Sequence, residues 1–269
     1  MRCSLKTQRC PSVDYLRKLA LRAGEIMLKN FKLGMRREWK SDNTPLTIAD
    51  TVINKLVVDA LRRDYPHIHV IGEEGGRDVL AAKYTAFCDP LDGTIPFSLG
   101  VPVSTFCISV VRGHMPLVAV IYDPFNRRMW HAVRGSGSFL NRKRISVSEH
   151  KSIHRANICM VWWKAPPGNY NLHIVCEWLM NAGAIWMNPV SIAYFGGLVA
   201  SGQLEATIFP GQNGWETAAI QLIVEEAGGR VTDIYGKEMR YGSGGCIEGH
   251  IISNGLLHDE LVNIVRDCQ

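Results

Sequence analysis

The chain lacks any long apolar run. No segment approaches the roughly 18 unbroken apolar residues that a membrane-spanning helix requires, so we expect no membrane contact. The opening stretch, MRCSLKTQRCPS, is basic and has no apolar core, which argues against a secretory signal. We expect residues 1–11 to form a disordered or flexible tail ahead of the folded part.

Paired cysteines and strong net charge are also missing. The eight cysteines are scattered and none belongs to a CxxC pair, which argues against a zinc site or a disulfide framework. Isolated apolar thiols suit a reducing compartment, so we expect a cytoplasmic protein. The net charge of +5 is compatible with a small anionic substrate and too weak to indicate nucleic acid binding. The basic cluster at 141–144 is expected to be a solvated turn.

The chain does contain clear helix and strand patterns. Ser12 is a predicted helix N-cap, and residues 49–60 show a second amphipathic helix. Residues 103–140 hold β-branched and aromatic runs separated by turn signals, which predicts an antiparallel meander. Helices and strands then alternate, with helices predicted at 171–180, 190–201 and 216–227 and strands at 184–187 and 204–209. Helices on both sides of sheets imply a layered α/β fold.

The whole pattern fits one domain over residues 12–269. The meander gives way to alternation near residue 150, without an internal repeat or a low-complexity linker. We therefore expect an N-terminal α+β half at about 12–150 and a C-terminal α/β half at about 151–269, closely joined.

Acidic residues stand where apolar strand patterns end. Glu73 and Glu74 follow one short apolar run, and Asp89 and Asp92 follow the next. Strand ends beside glycines often converge on one crevice of an open sheet. With no Lys or Arg expected to pair with them, these carboxylates would repel one another and recruit a cation. Oxygen ligands without histidine favour Mg²⁺ or Mn²⁺ over zinc.

The stretch FCDPLDGTIPF also fits a structural turn. In DPxDG the aspartate caps, the proline fixes φ and the glycine accepts a positive φ. Thr94, however, can begin a helix with Pro96 in its first turn. The N–H groups of Gly93 and Thr94 would then form a phosphate-binding site. Metal ligands beside a phosphate-binding site suggest metal-assisted phosphoester hydrolysis.

On these motifs the sequence resembles the inositol monophosphatase family of Mg²⁺-dependent, lithium-sensitive phosphatases. CDPLDGTIPF is similar to the family signature DPxDGTxxF, and GWETAAIQLIVEEAGG at 214–229 is similar to its second signature. The segments IGEE, KSDNTPLTIAD and GSGSFLN follow in the family's order. The resemblance covers about residue 12 to the C-terminus and implies a five-layer αβαβα sugar-phosphatase-like fold.

The resemblance implies a set of metal ligands. Glu73, Asp89 and the carbonyl of Leu91 would hold one ion, and Asp89 would bridge to a second ion shared with Asp92. A third, weaker ion would lie against Glu73. Glu216 stands where the family has an aspartate that completes the shell of the second ion.

The resemblance also implies the catalytic and substrate contacts. Asp50 would accept a hydrogen bond from Thr94, which would activate the attacking water together with the metal ion held by Glu73. The phosphate would lie against Gly93 and Thr94. In the family's substrate-contacting stretch, the nearest matches here are Ser191 and Ala193.

The substrate side departs from the family pattern. Six positions before Trp215, where inositol phosphatases have a glutamate that binds sugar hydroxyls, this chain has Phe209. A phenyl ring accepts no hydroxyl hydrogen bond but can stack on a ring or form an apolar wall. We therefore expect a leaving group with fewer hydroxyls than inositol, leaving sugar phosphates, histidinol phosphate and phosphoadenosine phosphate open.

The sequence thus predicts a Mg²⁺-dependent phosphomonoesterase for a small phosphorylated metabolite, with Mn²⁺ as a substitute ion. A homodimer is carried over from the family. The alternative is a non-catalytic protein on the same fold that binds metal or phosphate for regulation, which Glu216 and Phe209 favour.

Overall fold

A computed structural model describes residues 8–33, 38–40, 45–161, 171–188 and 190–268. The first seven residues of the expected tail lie outside the described residues, as do residues 41–44 of the segment that follows Lys40.

Seven α-helices are described, and most begin within two residues of the predicted position. The first helix starts after Ser12, whose hydroxyl accepts a hydrogen bond from the Tyr15 N–H at 3.3 Å. Their bounds are α1 Val13–Asn30, α2 Ile48–Asp64, α3 Thr94–Ser98, α4 Leu172–Asn181, α5 Ile192–Ala200, α6 Thr217–Glu226 and α7 His258–Asp267.

The described strands form a seven-stranded sheet, a five-stranded sheet and a small hairpin. The larger sheet has the order β3-β4-β5-β6-β7-β8-β9, and the smaller has the order β11-β10-β12-β14-β13. The bounds are β1 Glu38–Trp39, β2 Pro45–Leu46, β3 His69–Gly72, β4 Thr85–Asp92, β5 Thr105–Arg112, β6 Met115–Asp123, β7 Arg128–Val133, β8 Ser138–Leu140, β9 Lys143–Arg144, β10 Asn157–Met160, β11 Ile185–Met187, β12 Ala206–Phe209, β13 Arg230–Thr232 and β14 His250–Ser253.

Three apolar cores separate five layers. Helices α1 and α2 cover the outer face of the larger sheet, and α4 and α7 cover the outer face of the smaller sheet. Helices α5 and α6 lie between the two sheets, in the largest of the three cores. This is the αβαβα architecture that the resemblance implied, so the predicted fold class is confirmed.

A row of small side chains lets α6 approach the larger sheet closely. Ser109, Ala119, Ala132 and Ser138 are neighbours on adjacent strands, and each is fully buried. Helix α6 packs over β5 to β8 at this row. Short side chains on the sheet shorten the distance to the helix, so this row helps to fix the place of α6.

Several predicted bounds shift slightly. The predicted strand at 204–209 begins at Ala206, and the meander continues into the hairpin β8–β9, whose turn falls within the basic cluster at 141–144. Among the described residues, no helix is long and apolar enough to cross a membrane. The division into halves near residue 150 stays a prediction.

Candidate active site

A bulge in β4 turns two aspartates to the same face of the larger sheet. In an unbroken strand, residues three apart point to opposite faces. Here the pairing shifts between Asp89 and Asp92, so that Asp89 faces Cys107 and Asp92 faces Thr105 on the neighbouring strand. Since Cys107 and Thr105 are two apart, their partners share one face. The extra residue supplied by Pro90 and Leu91 therefore brings both carboxylates to the inner core.

Asp92 connects the larger sheet to the start of α5 through hydrogen bonds. Its Oδ1 accepts the Ile192 N–H at 2.9 Å, and its Oδ2 accepts the Ala193 N–H at 3.0 Å. The hydroxyls of Ser191 and Thr105 donate to the same Oδ2 at 2.7 and 3.1 Å. These bonds join the N-terminus of α5 to β4, and they leave Oδ1 as the less occupied oxygen of Asp92.

The turn after Asp92 requires a glycine. Gly93 has φ of 82°, in the left-handed region, and a Cβ there would lie 3.1 Å from the Ser191 Cβ. Its carbonyl accepts the Ser104 hydroxyl at 2.8 Å and the Phe97 N–H at 3.0 Å, which starts α3. The predicted helix opening at Thr94 is thus present, beside Ser191.

Asp50 is buried at the start of α2 and faces Thr94. Its Oδ2 accepts the backbone N–H and the hydroxyl of Thr47, at 2.7 and 2.5 Å. Its Oδ1 lies 3.2 Å from the Thr94 hydroxyl oxygen, which is also 3.1 Å from the Leu91 carbonyl oxygen. Burial raises the pKa of Asp50 to about 7, although Thr47 works against this. The Thr94 hydroxyl has one proton and can donate it to only one acceptor at a time.

The expectation that the acidic residues have no paired Lys or Arg is wrong. The Lys40 ammonium lies 2.8 Å from Glu73 Oε1 and also contacts the Glu74 carboxylate. Burial alone would lower the pKa of Lys40, but the charges and hydrogen bonds of the two glutamates raise it. Because Lys40 comes from the edge of a distant hairpin, its position relative to Glu73 was not readable from spacing.

Glu216 is a deeply buried carboxylate at the N-cap of α6. It is 3% exposed, and its Oε2 has no hydrogen-bond partner among the described residues. Burial raises the pKa of Glu216 well above its usual range, and the charge of Asp92 raises it further. An orphaned carboxylate oxygen in such a place is costly unless a cation or a proton satisfies it.

The carboxylates of Asp89, Asp92 and Glu216 are close enough for their charges to repel one another. Burial raises the pKa of Asp89, and the charges of Glu73, Asp92 and Glu216 add to this. In the described part of the chain, no three Asp, Glu, His or Cys side chains are grouped closely enough to hold an ion as they stand. Glu73 is turned to Lys40 and Asp92 to α5. The donor set nevertheless fits a hard divalent cation, since it comprises buried oxygens with one unsatisfied.

Phe209 is placed in the core at the end of β12. The side chain is 5% exposed, and its ring packs 5.2 Å from the ring of His250 on β14. The ring also covers Gly211, where a Cβ would lie 2.1 Å from the Phe209 Cζ. Its contact with substrate stays a prediction, and the 5% exposure of the side chain leaves little ring surface for such a contact.

The family comparison matches almost all of this chain. The model of the inositol monophosphatase family matches residues 11–269. The chain belongs to the inositol monophosphatase family. The predicted resemblance is therefore confirmed from residue 11 to residue 269.

Relatives and solved structures of the inositol monophosphatase family extend over nearly the full chain. A histidinol-phosphatase of Mycobacterium tuberculosis is 33% identical over 256 residues, covering 91% of this chain and 94% of the relative. A Nus factor SuhB of Xylella fastidiosa is 30% identical and covers 85% of this chain and 84% of the relative. The structure of a Thermotoga maritima IMPase superposes with a TM-score of 0.83 at 27% identity, covering 95% of this chain and 96% of that structure.

Sequence reasoning missed three residues of this candidate site. Thr47 was readable, since T-x-x-D before an apolar helix is a capping-box pattern, and the structure forms that box with Asp50. Lys40 was quoted within a family segment but given no role. Thr105 lies in a strand of the meander, and only the strand pairing reveals that it faces Asp92.

Proposed function

We propose that this protein is a divalent-metal-dependent phosphoric monoester hydrolase that acts on a small phosphorylated metabolite. The observation that carries the proposal is the buried Glu216 carboxylate, whose Oε2 has no hydrogen-bond partner among the described residues and whose pKa is raised by burial and by the charge of Asp92. The predicted enzyme class is confirmed by the family match and by relatives named as phosphatases. Mg²⁺ as the ion, with Mn²⁺ as a substitute, belongs to the proposal.

Five groups would hold the metal ions. They are the carboxylates of Glu73, Asp89, Asp92 and Glu216 and the carbonyl of Leu91. When bound, divalent cations at these oxygens lower the pKa of water and neutralise phosphate charge. Lys40 contacts Oε1 of Glu73, so a divalent ion would take the other oxygen of this carboxylate or displace the ammonium.

Thr94 and Asp50 would orient the attacking water. When the Thr94 hydroxyl donates a hydrogen bond to Asp50 Oδ1, the lone pairs of the hydroxyl oxygen can accept a hydrogen bond from water. Thr47 fixes Asp50, so Asp50 Oδ1 is held within hydrogen-bond reach of the Thr94 hydroxyl, for which the Leu91 carbonyl is the competing acceptor. The phosphate would lie against the N–H groups of Gly93 and Thr94, and this positioning for in-line attack supplies much of the rate.

The substrate side favours a leaving group poorer in hydroxyls than inositol. Phe209, whose ring packs against His250, stands where inositol phosphatases have an acceptor carboxylate, and the Ser191 hydroxyl donates to Asp92. Ala193 offers only a methyl group. Since one relative is named histidinol-phosphatase, histidinol phosphate is the first candidate, ahead of sugar phosphates and phosphoadenosine phosphate.

Two further properties belong to the same proposal. The family resemblance supports a homodimer, and the scattered free cysteines support a reducing, cytoplasmic location. We do not expect nucleic acid as a substrate.

A second candidate is a non-catalytic regulatory protein on this fold. The Lys40 ammonium lies against Glu73, a proposed metal ligand, and several relatives are named Nus factor SuhB. A protein of this kind would bind metal or phosphate without turnover.

Phosphate release decides between the two functions. Purified protein would be assayed on p-nitrophenyl phosphate and histidinol phosphate with Mg²⁺, with Mn²⁺ and with excess chelator. We expect release that needs the metal and disappears in Asp89→Asn. Metal binding by the wild-type protein without any turnover would instead support the regulatory candidate.

A further inference from the structure

Tyr241 lies between the two elements that carry the acidic residues of the site. Its ring packs against the ring of Phe87 on β4, with centroids 5.2 Å apart. Phe87 is two positions before Asp89 and shares its face of the sheet. The Tyr241 hydroxyl donates to Gln221 Oε1 on α6 at 2.6 Å. One buried side chain therefore contacts the strand of Asp89 and the helix that begins after Glu216.

The contacts of Tyr241 also reach the backbone in front of Glu216. A Cβ on Gly214 would lie 3.3 Å from the Tyr241 Cδ1, so the ring rests close against this glycine. Gly214 is followed by Trp215 and Glu216. The Tyr241 N–H donates to His114 Nδ1 at 3.2 Å, which holds the tyrosine to the turn between β5 and β6. The ring is thus fixed from the larger sheet as well as from α6.

Gln221 connects the hydroxyl of Tyr241 to an ion pair at the edge of the core. Its Nε2 donates to Glu225 Oε1 at 2.9 Å, and Arg134 Nη1 lies 2.6 Å from Glu225 Oε2. Arg134 follows β7 of the larger sheet. Helix α6 is therefore connected to this sheet in its last turn by Arg134, which contacts Glu225, and at its middle by Tyr241, which contacts Gln221.

We propose that Tyr241 is a positioning residue that sets the spacing between Asp89 and Glu216. The two carboxylates come from β4 and from the start of α6, and their charges are coupled. Metal sites depend on side chains held to within about 0.5 Å, and a hydrogen bond in the supporting shell provides that precision. This inference rests on the proposed function, since it assumes that these carboxylates bind a cation.

Tyr241→Phe is the test variant, since it removes one oxygen and keeps the ring on Phe87. Tyr15→Phe is the matched control. It removes the hydroxyl that donates to Asp64 at 3.0 Å, at the far end of α2 from Asp50. That end is about 20 Å away at 1.5 Å per helical residue. Mn²⁺ affinity of the metal-free proteins would be measured by electron paramagnetic resonance titration without substrate, well below both unfolding temperatures.

We expect Tyr241→Phe to weaken Mn²⁺ binding about fivefold to tenfold, as the loss of one buried hydrogen bond implies, while Tyr15→Phe stays within about twofold of wild type. Gln221→Leu should weaken binding similarly, and the double variant should lose less than the sum of the two. Wild-type affinity in Tyr241→Phe, or equal loss in the control, would overturn the inference. A wild-type protein that binds no Mn²⁺ would overturn the proposed metal site itself, whatever the variants do.

Discussion

The Ser191 hydroxyl donates to Asp92 Oδ2 at 2.7 Å across 99 residues of sequence. The bond connects β4 of the larger sheet to the residue just before α5. It makes one carboxylate both a predicted metal ligand and the N-terminal cap of a core helix. The position of α5 and the chemistry of the site therefore depend on the same two carboxylate oxygens of Asp92.

Removing the Ser191 hydroxyl should destabilise the fold. Ser191→Ala takes away a hydrogen bond to a buried carboxylate, and we expect a loss of about 1–2 kcal/mol in the free energy of unfolding, measured in urea. Burial raises the pKa of Asp92 and the Ser191 hydrogen bond opposes this, so the loss of that bond should raise the pKa of Asp92 further. Ser152→Ala, which removes an exposed hydroxyl that accepts the His154 N–H at 3.2 Å, is the control and should cost less. An equal loss of unfolding free energy in the two variants would contradict a hydrogen bond from Ser191 to a buried charged carboxylate.

Shortening Glu216 should improve the site. Glu216→Asp restores the shorter side chain that the family places here, so we expect higher turnover or tighter Mg²⁺ binding. The measurement is kcat and the Mg²⁺ dependence of phosphate release. Glu226→Asp, at a carboxylate that accepts the Gly135 and Gly137 N–H groups, is the control. Identical kinetics and Mg²⁺ dependence in Glu216→Asp and wild type would remove Glu216 from the site.

Freeing Glu73 from Lys40 should strengthen cation binding. Lys40→Met removes the ammonium that competes with a divalent ion for the Glu73 carboxylate, and we expect Mn²⁺ to bind several-fold more tightly by calorimetric titration. Lys55→Met breaks an exposed pair with Asp59 and should leave the affinity unchanged. Weaker binding in Lys40→Met would mean that Lys40 supports the site instead of competing for it.

Stability should fall in mild acid because of a buried histidine. Burial, with help from Arg230, lowers the pKa of His258 from 6.5 to about 4 in the folded protein. The unfolded chain takes up the proton first, so stability is full above pH 6.5 and declines toward pH 4. The loss is about 3 kcal/mol at 1.36 kcal/mol per pKa unit.

His258→Asn tests this pH dependence. Urea unfolding at several pH values should show a flatter profile between pH 6.5 and 4 for this variant, even if it is less stable throughout. His173→Asn changes an exposed histidine on α4 and should keep the wild-type slope. An unchanged slope in His258→Asn would contradict the assignment.

The substrate panel tests the role of the apolar position. Because Phe209 stands where the family has an acceptor carboxylate, inositol 1-phosphate should not be the best substrate by kcat/KM. Histidinol phosphate, a sugar phosphate and phosphoadenosine phosphate form the comparison set. A ranking that places inositol 1-phosphate first by a wide margin would reject the proposed substrate class.

The sequence predicted the layered fold and most elements because the periodic patterns and the motifs agree. The capping box at Thr47 and Asp50 was likewise readable from four residues. The pairing of Lys40 with Glu73 was not, since it joins residues 33 positions apart through a short hairpin. The common face of Asp89 and Asp92 depends on a bulge, and a spacing of three in a strand predicts opposite faces. Tertiary pairing decides both features, and local sequence does not encode it.

The most direct test of the metal centre is a crystal soaked with Mn²⁺ and phosphate, with data collected at the manganese absorption edge. The account predicts anomalous peaks about 2.0–2.4 Å from oxygens of Asp89, Asp92 and Glu216, with phosphate beside Thr94. Manganese bound only elsewhere, with these three carboxylates protonated and paired to one another, would contradict it.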